Sequence, residues 1–159
     1  MLQEEFGILK QNEWKSFWTD GQWSHHQLLE YILEQTGPAE VMLSTFTICE
    51  ASVRSLYNLC ESGQITKLKC LFDTRTRKNK ADILLFAAGI TPAIYISDCH
   101  AKLVIISNDK WKIAIIGSAN FSINSRLECG IICSVTDVFD FFKTNLETAM
   151  NTAVPFTLD

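Results

Sequence analysis

The chain has 159 residues, 47% of them apolar, 20% charged and 11% aromatic, with a formal net charge of −4. This is the composition of one ordinary globular domain and excludes disorder, collagen and coiled coil. No apolar run approaches the ~20 residues needed to cross a bilayer, and a domain of this size buries roughly 70% of its extended-chain surface, so it folds without disulfides or metal.

Along the chain, Phe6 to Lys10 is a candidate strand, and the stretch after it holds Trp14, Trp18 and Trp23 without a regular period. Tryptophans in such a setting are read as core. Ser24 is the N-cap of a helix with Leu28, Leu29, Ile32 and Leu33 on one face, stopped by Gly37-Pro38. Glu40 to Ile48 reads as a buried strand. Glu50 to Glu61 places Val53, Leu56, Tyr57 and Cys60 at helical spacing and ends at Gly63. Ile65 to Phe72 is a strand with one polar face, because Lys67 and Lys69 alternate with Leu68 and Cys70. A helix through Ala81 to Ala88 precedes a strand over Pro92 to Ile96. Lys102 to Ser107 and Trp111 to Ile116 form a hairpin about the turn Asn108-Asp109-Lys110. Cys129 to Val135 is a further strand, and the last helix carries Val138, Phe141, Phe142 and Leu146. The alternation predicts an α/β fold, a mixed β-sheet flanked by helices, as a single domain over residues 1–159 without internal repeats.

The six cysteines, Cys49, Cys60, Cys70, Cys99, Cys129 and Cys133, match neither a CxxC pair nor a zinc ribbon. They read as small hydrophobes in a reducing compartment, with no metal and no cofactor. The acidic start, Met1-Leu2-Gln3-Glu4-Glu5, lacks the basic residues and apolar core of an export signal. The expected location is the cytoplasm, without stable membrane insertion. Charge is uneven. Lys67, Lys69, Arg75, Arg77, Lys78 and Lys80 stand against Asp73 alone, a segment of +5 in a remainder of −9. Such a segment suits a nucleic-acid backbone, with Lys67 and Lys69 on one strand face and a loop from Arg75 to Lys80 extending it; its bland reading is a solvated surface.

Chemistry concentrates at the hairpin. His100-Ala101-Lys102 leads in, Gly117-Ser118-Ala119-Asn120 leads out, and Glu128 opens the next strand. Alternation sets His100 and Lys102 on one face, and pairing about the turn returns the Gly117 loop to them. An imidazole, an ammonium, a hydroxyl and an amide in one volume suit a phosphate: Lys102, Ser118 and Asn120 donate to its oxygens, and His100 can attack phosphorus. Gly117 would let the backbone approach closely.

These residues resemble the signature of the phospholipase D superfamily, HxKxxxxD followed by six residues and GSxN, which His100, Lys102, Gly117, Ser118 and Asn120 match. Position 107 carries Ser107 where the pattern has aspartate, and the interval from Lys102 to Gly117 is three residues longer. The elements from about Ala39 to Val135 are similar in order to one half of a phospholipase D-like fold. The resemblance implies that His, Lys and Asn touch the phosphate, and that Glu128 hydrogen-bonds the histidine ring and fixes its tautomer. Two-motif members use one histidine as nucleophile and the other as general acid. This chain has one motif, so the resemblance implies a homodimer with a His100 from each copy. The function expected is that of a metal-independent phosphodiesterase acting through a phosphohistidine, a nuclease in preference. The alternatives are a phospholipase or phosphatidyl transferase, with Trp14, Trp18 and Trp23 as its apolar surface, and a non-catalytic nucleic-acid-binding module of a larger restriction or repair system.

Overall fold

A computed structural model describes residues 1–123 and 125–158. The elements, in chain order, are α1 (Leu2–Phe6), β1 (Trp14–Thr19), α2 (His25–Thr36), β2 (Ala39–Thr45), α3 (Glu50–Glu61), β3 (Ile65–Asp73), α4 (Thr74–Asn79), α5 (Ala81–Ile90), β4 (Ile94–Ser97), β5 (Leu103–Ser107), β6 (Lys112–Gly117), β7 (Glu128–Cys133), α6 (Thr136–Thr152) and β8 (Val154–Phe156). The strands form one mixed eight-stranded sheet in the order β1-β7-β6-β5-β2-β3-β4-β8. β2, β3 and β4 run parallel, β5, β6 and β7 are antiparallel, and β2 meets β5 at the centre. The C-terminal ends of β2 and β3, the start of β5, the end of β6 and the start of β7 therefore share one edge of the sheet. That edge is where crevices form in open α/β sheets.

Both faces are covered. Leu28, Leu29, Ile32 and Leu33 of α2, Val53 and Leu56 of α3 and Leu84 of α5 bury one face with Val41, Leu43, Ile106 and Ile113 of the strands. Phe139, Leu146 and Met150 of α6 cover the other against Met42, Leu71, Ile105 and Ala114. α2 begins as its sequence dictates: the Ser24 side chain accepts from Gln27 N while the Gln27 side chain caps Ser24 N, and Gly37 at φ 74° ends it. The hairpin turn is made by Asn108, whose Oδ1 accepts from the backbone N–H of Lys110 and Trp111.

Four readings need correction. Phe6 to Lys10 is not a strand: Leu2–Phe6 is a short helix closed by Gly7 at φ 59°, and Ile8 is exposed. The tryptophan stretch is instead the edge strand β1, on which Phe17 and Thr19 face the core while Trp14 and Trp18 are 53% and 66% exposed; Trp23 is buried. Residues 75–79 are not a loop but most of α4, with Lys80 at its C-terminal cap, because Asp73 caps the start of that helix by accepting from Arg75 N at 2.9 Å. Finally, β5 starts at Leu103, so His100 and Lys102 lie in the segment that leads into it, and strand alternation is not what brings them together.

Candidate active site

At the shared edge an open cavity of about 830 Å³ is lined by His100, Lys102, Gly117, Ser118, Asn120 and Glu128, joined by Phe46, Arg126 and Phe142. The five candidate catalytic residues thus meet although they come from three segments of chain. Register explains it: Leu103 pairs with Ile116 and Gly117 with Gly130, which stacks the approach to β5, the end of β6 and the start of β7 side by side.

Each side chain has a definite partner. Lys102 Nζ lies 3.1 Å from His100 Nδ1 and donates to His100 O at 2.9 Å. An ammonium has only donors, so it donates to Nδ1 and leaves the proton of a neutral imidazole on Nε2. The His100 ring is exposed to the cavity and packs against Phe46 with centroids 4.8 Å apart. Asn120 turns its carbonyl oxygen inward, accepting from Phe46 N at 3.1 Å, Thr47 N at 3.4 Å and Thr45 Oγ1 at 3.3 Å. With Oδ1 so fixed at the end of β2, its amide NH2 is the group left for a ligand. The Ser118 hydroxyl donates to Glu128 Oε2 and accepts from Cys129 N at 3.0 Å, so in this arrangement its hydrogen belongs to the carboxylate.

At Gly117 a backbone does come close, and it is that of β7. A Cβ there would stand 2.5 Å from Cys129 O and 3.0 Å from the Gly130 Cα. The glycine permits close approach of β7 at the wall of the cavity. Ser107 pairs with Glu40 and Lys112 at the far end of β5, a strand length from His100, so the position where the family pattern has aspartate lies outside the cavity.

The basic residues divide into separate places. Lys67 and Lys69 stand together as alternation requires, but beside Glu40, Lys143 and Glu147 at the opposite end of the strands. Arg77 and Lys78 are exposed in the last turn of α4. Lys80 folds inward, donating to Thr47 Oγ1 at 2.9 Å and Ile48 O at 2.8 Å, so it braces the loop behind the site. Arg75 alone reaches the cavity wall, its guanidinium carbon 5.1 Å from the centroid of the Phe46 ring.

Sequence reasoning missed Phe46 and Asp73. Asp73 is 6% exposed, and its two oxygens accept from Arg75 N and Cys99 N, each at 2.9 Å. The signal available was an aspartate before a polar helical turn at the end of a buried strand. Among the described residues no group of three or more His, Cys, Asp or Glu is placed to hold a metal ion, and no helix is long and apolar enough to cross a membrane.

No protein-family model matches the chain, and no curated protein sequence does. Solved structures do resemble it. Nuc from Salmonella typhimurium, a phospholipase D family member, superposes with a TM-score of 0.68 at 15% identity over 92% of this chain and 99% of its own. NucT from Helicobacter pylori gives 0.66 at 16% identity, over 91% and 100%. TrmBL2, an archaeal chromatin protein with a novel mode of DNA binding, gives 0.62 at 14% identity, over 95% of this chain and 55% of its own. The chain therefore has a phospholipase D-like fold, an α/β architecture built on a mixed sheet.

Proposed function

We propose that the chain is a single-domain, metal-independent phosphodiesterase of the cytoplasm that cleaves nucleic acid as a homodimer. The observation that carries this reading is the meeting of His100, Lys102, Ser118, Asn120 and Glu128 in one cavity, in a fold shared with a phospholipase D family member. A nucleic-acid substrate is supported by Arg75 of α4 at the cavity wall, by Arg77 and Lys78 exposed on the same helix, and by the DNA binding of TrmBL2.

In this mechanism a phosphodiester enters the cavity and Lys102 leaves the imidazole for a non-bridging oxygen, joined by the Asn120 amide. The ring proton then resides on Nδ1, and Nε2 attacks phosphorus to form an N–P bond. The partner's His100 protonates the departing oxygen as the P–O bond breaks, then removes a proton from the water that hydrolyses the phosphohistidine. Glu128, oriented by Ser118, steadies the imidazolium charge. A second reading, phospholipase or phosphatidyl transfer, draws on the exposure of Trp14, Trp18 and Phe141; the non-catalytic module remains the reading in which nothing turns over.

The test offers bis(p-nitrophenyl) phosphate, single-stranded DNA and RNA, and phosphatidylcholine vesicles in the presence of EDTA. Turnover of the chromogenic diester and of a nucleic acid is expected, with a loss of at least about a thousandfold in His100→Ala. Cleavage of vesicles alone would favour the phospholipase reading, and binding of nucleic acid without turnover of any diester the non-catalytic one.

A further inference from the structure

Phe46 is the hub of a cluster that the HxK motif does not include. Its half-buried ring meets the His100 imidazole at 4.8 Å, carries the Arg75 guanidinium carbon at 5.1 Å, and has Lys102 Nζ at 5.9 Å, all measured to ring centroids. Three cationic or protonatable groups therefore surround one phenyl ring. Their relation is set by the backbone. Phe46 N–H is bound to Asn120 Oδ1, and the buried Asp73 carboxylate holds both Arg75 N and the N–H of Cys99, the residue before His100. One carboxylate thus ties the backbones on which the guanidinium and the imidazole are carried.

Arg75 is exposed, and among the described residues it forms no ion pair. A guanidinium laid on an aromatic face keeps its edge N–H groups free for a planar or tetrahedral anion. Arg75 and Lys102 set two cations on one ring beside the histidine, while the neighbouring acids are already engaged, Asp73 by the backbone N–H groups of Arg75 and Cys99 and Asp98 by Thr74 Oγ1, so the guanidinium edge can draw a second anion.

We propose that Arg75, supported by Phe46, forms a second phosphate subsite that takes the strand phosphate adjacent to the one held at His100 and Lys102. The inference rests on the phosphodiesterase reading and narrows its substrate. Successive phosphates along one chain belong to a polynucleotide strand, whereas the diester of a phospholipid presents a single anion at the scissile bond.

The experiment compares three dinucleotides with the same single phosphodiester: one without end phosphates, one with an added 5′-phosphate and one with an added 3′-phosphate. In the wild-type protein one of the two end phosphates raises kcat/KM about tenfold, the worth of a charge-assisted contact. Arg75→Gln cuts that advantage to about twofold or less, and Arg75→Lys keeps part of it, since charge survives and the fork does not. An end phosphate that gives no advantage to the wild type, or an advantage that Arg75→Gln retains, overturns the subsite. If no dinucleotide is turned over, the phosphodiesterase reading fails by itself. The ratio of Kd values for the same three compounds, measured by calorimetry, then decides the subsite on the same two outcomes.

Discussion

His25 opens α2 yet is only 2% exposed, and its ring lies on that of Phe121 with centroids 5.1 Å apart. It lines a small cavity whose other walls include Asn120, Arg126 and Glu128, so it stands directly behind the candidate site. Among the described residues neither ring nitrogen completes a hydrogen bond, although the Ala119 backbone is close. Burial lowers its pKa to about 4; the Ala119 backbone and the Glu128 carboxylate oppose the shift and His26 adds to it. The sign for stability follows. An unfolded chain takes this proton at the ordinary value of 6.5, and the folded chain refuses it until about pH 4. Stability is therefore complete above pH 6.5 and falls as pH drops towards 4, by about 3 kcal/mol in total. Urea melts at pH 7, 5.5 and 4.5 should show that decline. His25→Phe, which keeps the ring contact and removes the titration, should flatten it; parallel curves for the two proteins would place the acid sensitivity on other groups.

At the scale of elements, the paired glycines of β6 and β7 admit no side chain. A Cβ on Gly117 meets Cys129 O at 2.5 Å, and one on Gly130 meets Ile116 O and the Phe17 ring. Gly130→Ala should therefore unseat β1 and β7, costing about 2 kcal/mol or more by denaturant melts, where an open glycine such as Gly89 would accept alanine. A second prediction concerns α4. Replacing Arg75, Arg77 and Lys78 with alanine should reduce the salt slope of DNA binding by up to about three, whereas replacing Lys67 and Lys69, at the far end of the sheet, should change it by less than about one. Equal effects would mean that the strand crosses the whole sheet face. These placements mark what the sequence could and could not reveal. Elements with strong local rules were legible: α2 through Ser24 and Gln27, the hairpin through Asn108, α3 through its apolar stripe. The HxK and GSxN segments were legible as one site because a hairpin imposes their proximity. The edge strand β1 was obscured because Trp14 and Trp18 put large apolar groups on its solvent side, which spoils the alternation a strand shows. α4 was obscured because Thr74–Asn79 has no apolar stripe, and the buried Asp73 cap that makes it a helix is a tertiary fact.

In the proposed cycle the whole molecule presents half of an acid and nucleophile pair. One cavity holds His100, and the proposed cycle needs a second imidazole on the opposite side of the phosphate, which a second copy related by a two-fold axis would supply. The surface beside the cavity suits that copy. Phe141 is 61% exposed and its ring contacts Phe142, which lines the cavity, while Trp18 is paired with Cys129 next to Glu128. Trp14, Ser16 and Trp18 project from the edge strand to the sheet face that α6 covers further in, and among the described residues no helix covers Trp14 and Trp18, which stay exposed. A stable dimer needs roughly 800 Å² from each partner with an apolar centre, and exposed tryptophans are the residues that anchor such a centre. Sedimentation at tens of micromolar should accordingly give a dimer. Trp14→Lys combined with Trp18→Lys should shift it to monomer with little change in melting temperature, because both side chains are already in solvent, and should lower diester turnover at least about a hundredfold, because each monomer keeps only one His100. A wild-type protein that sediments as a monomer with full turnover would refute the two-copy cycle and leave the general acid to be sought within one chain.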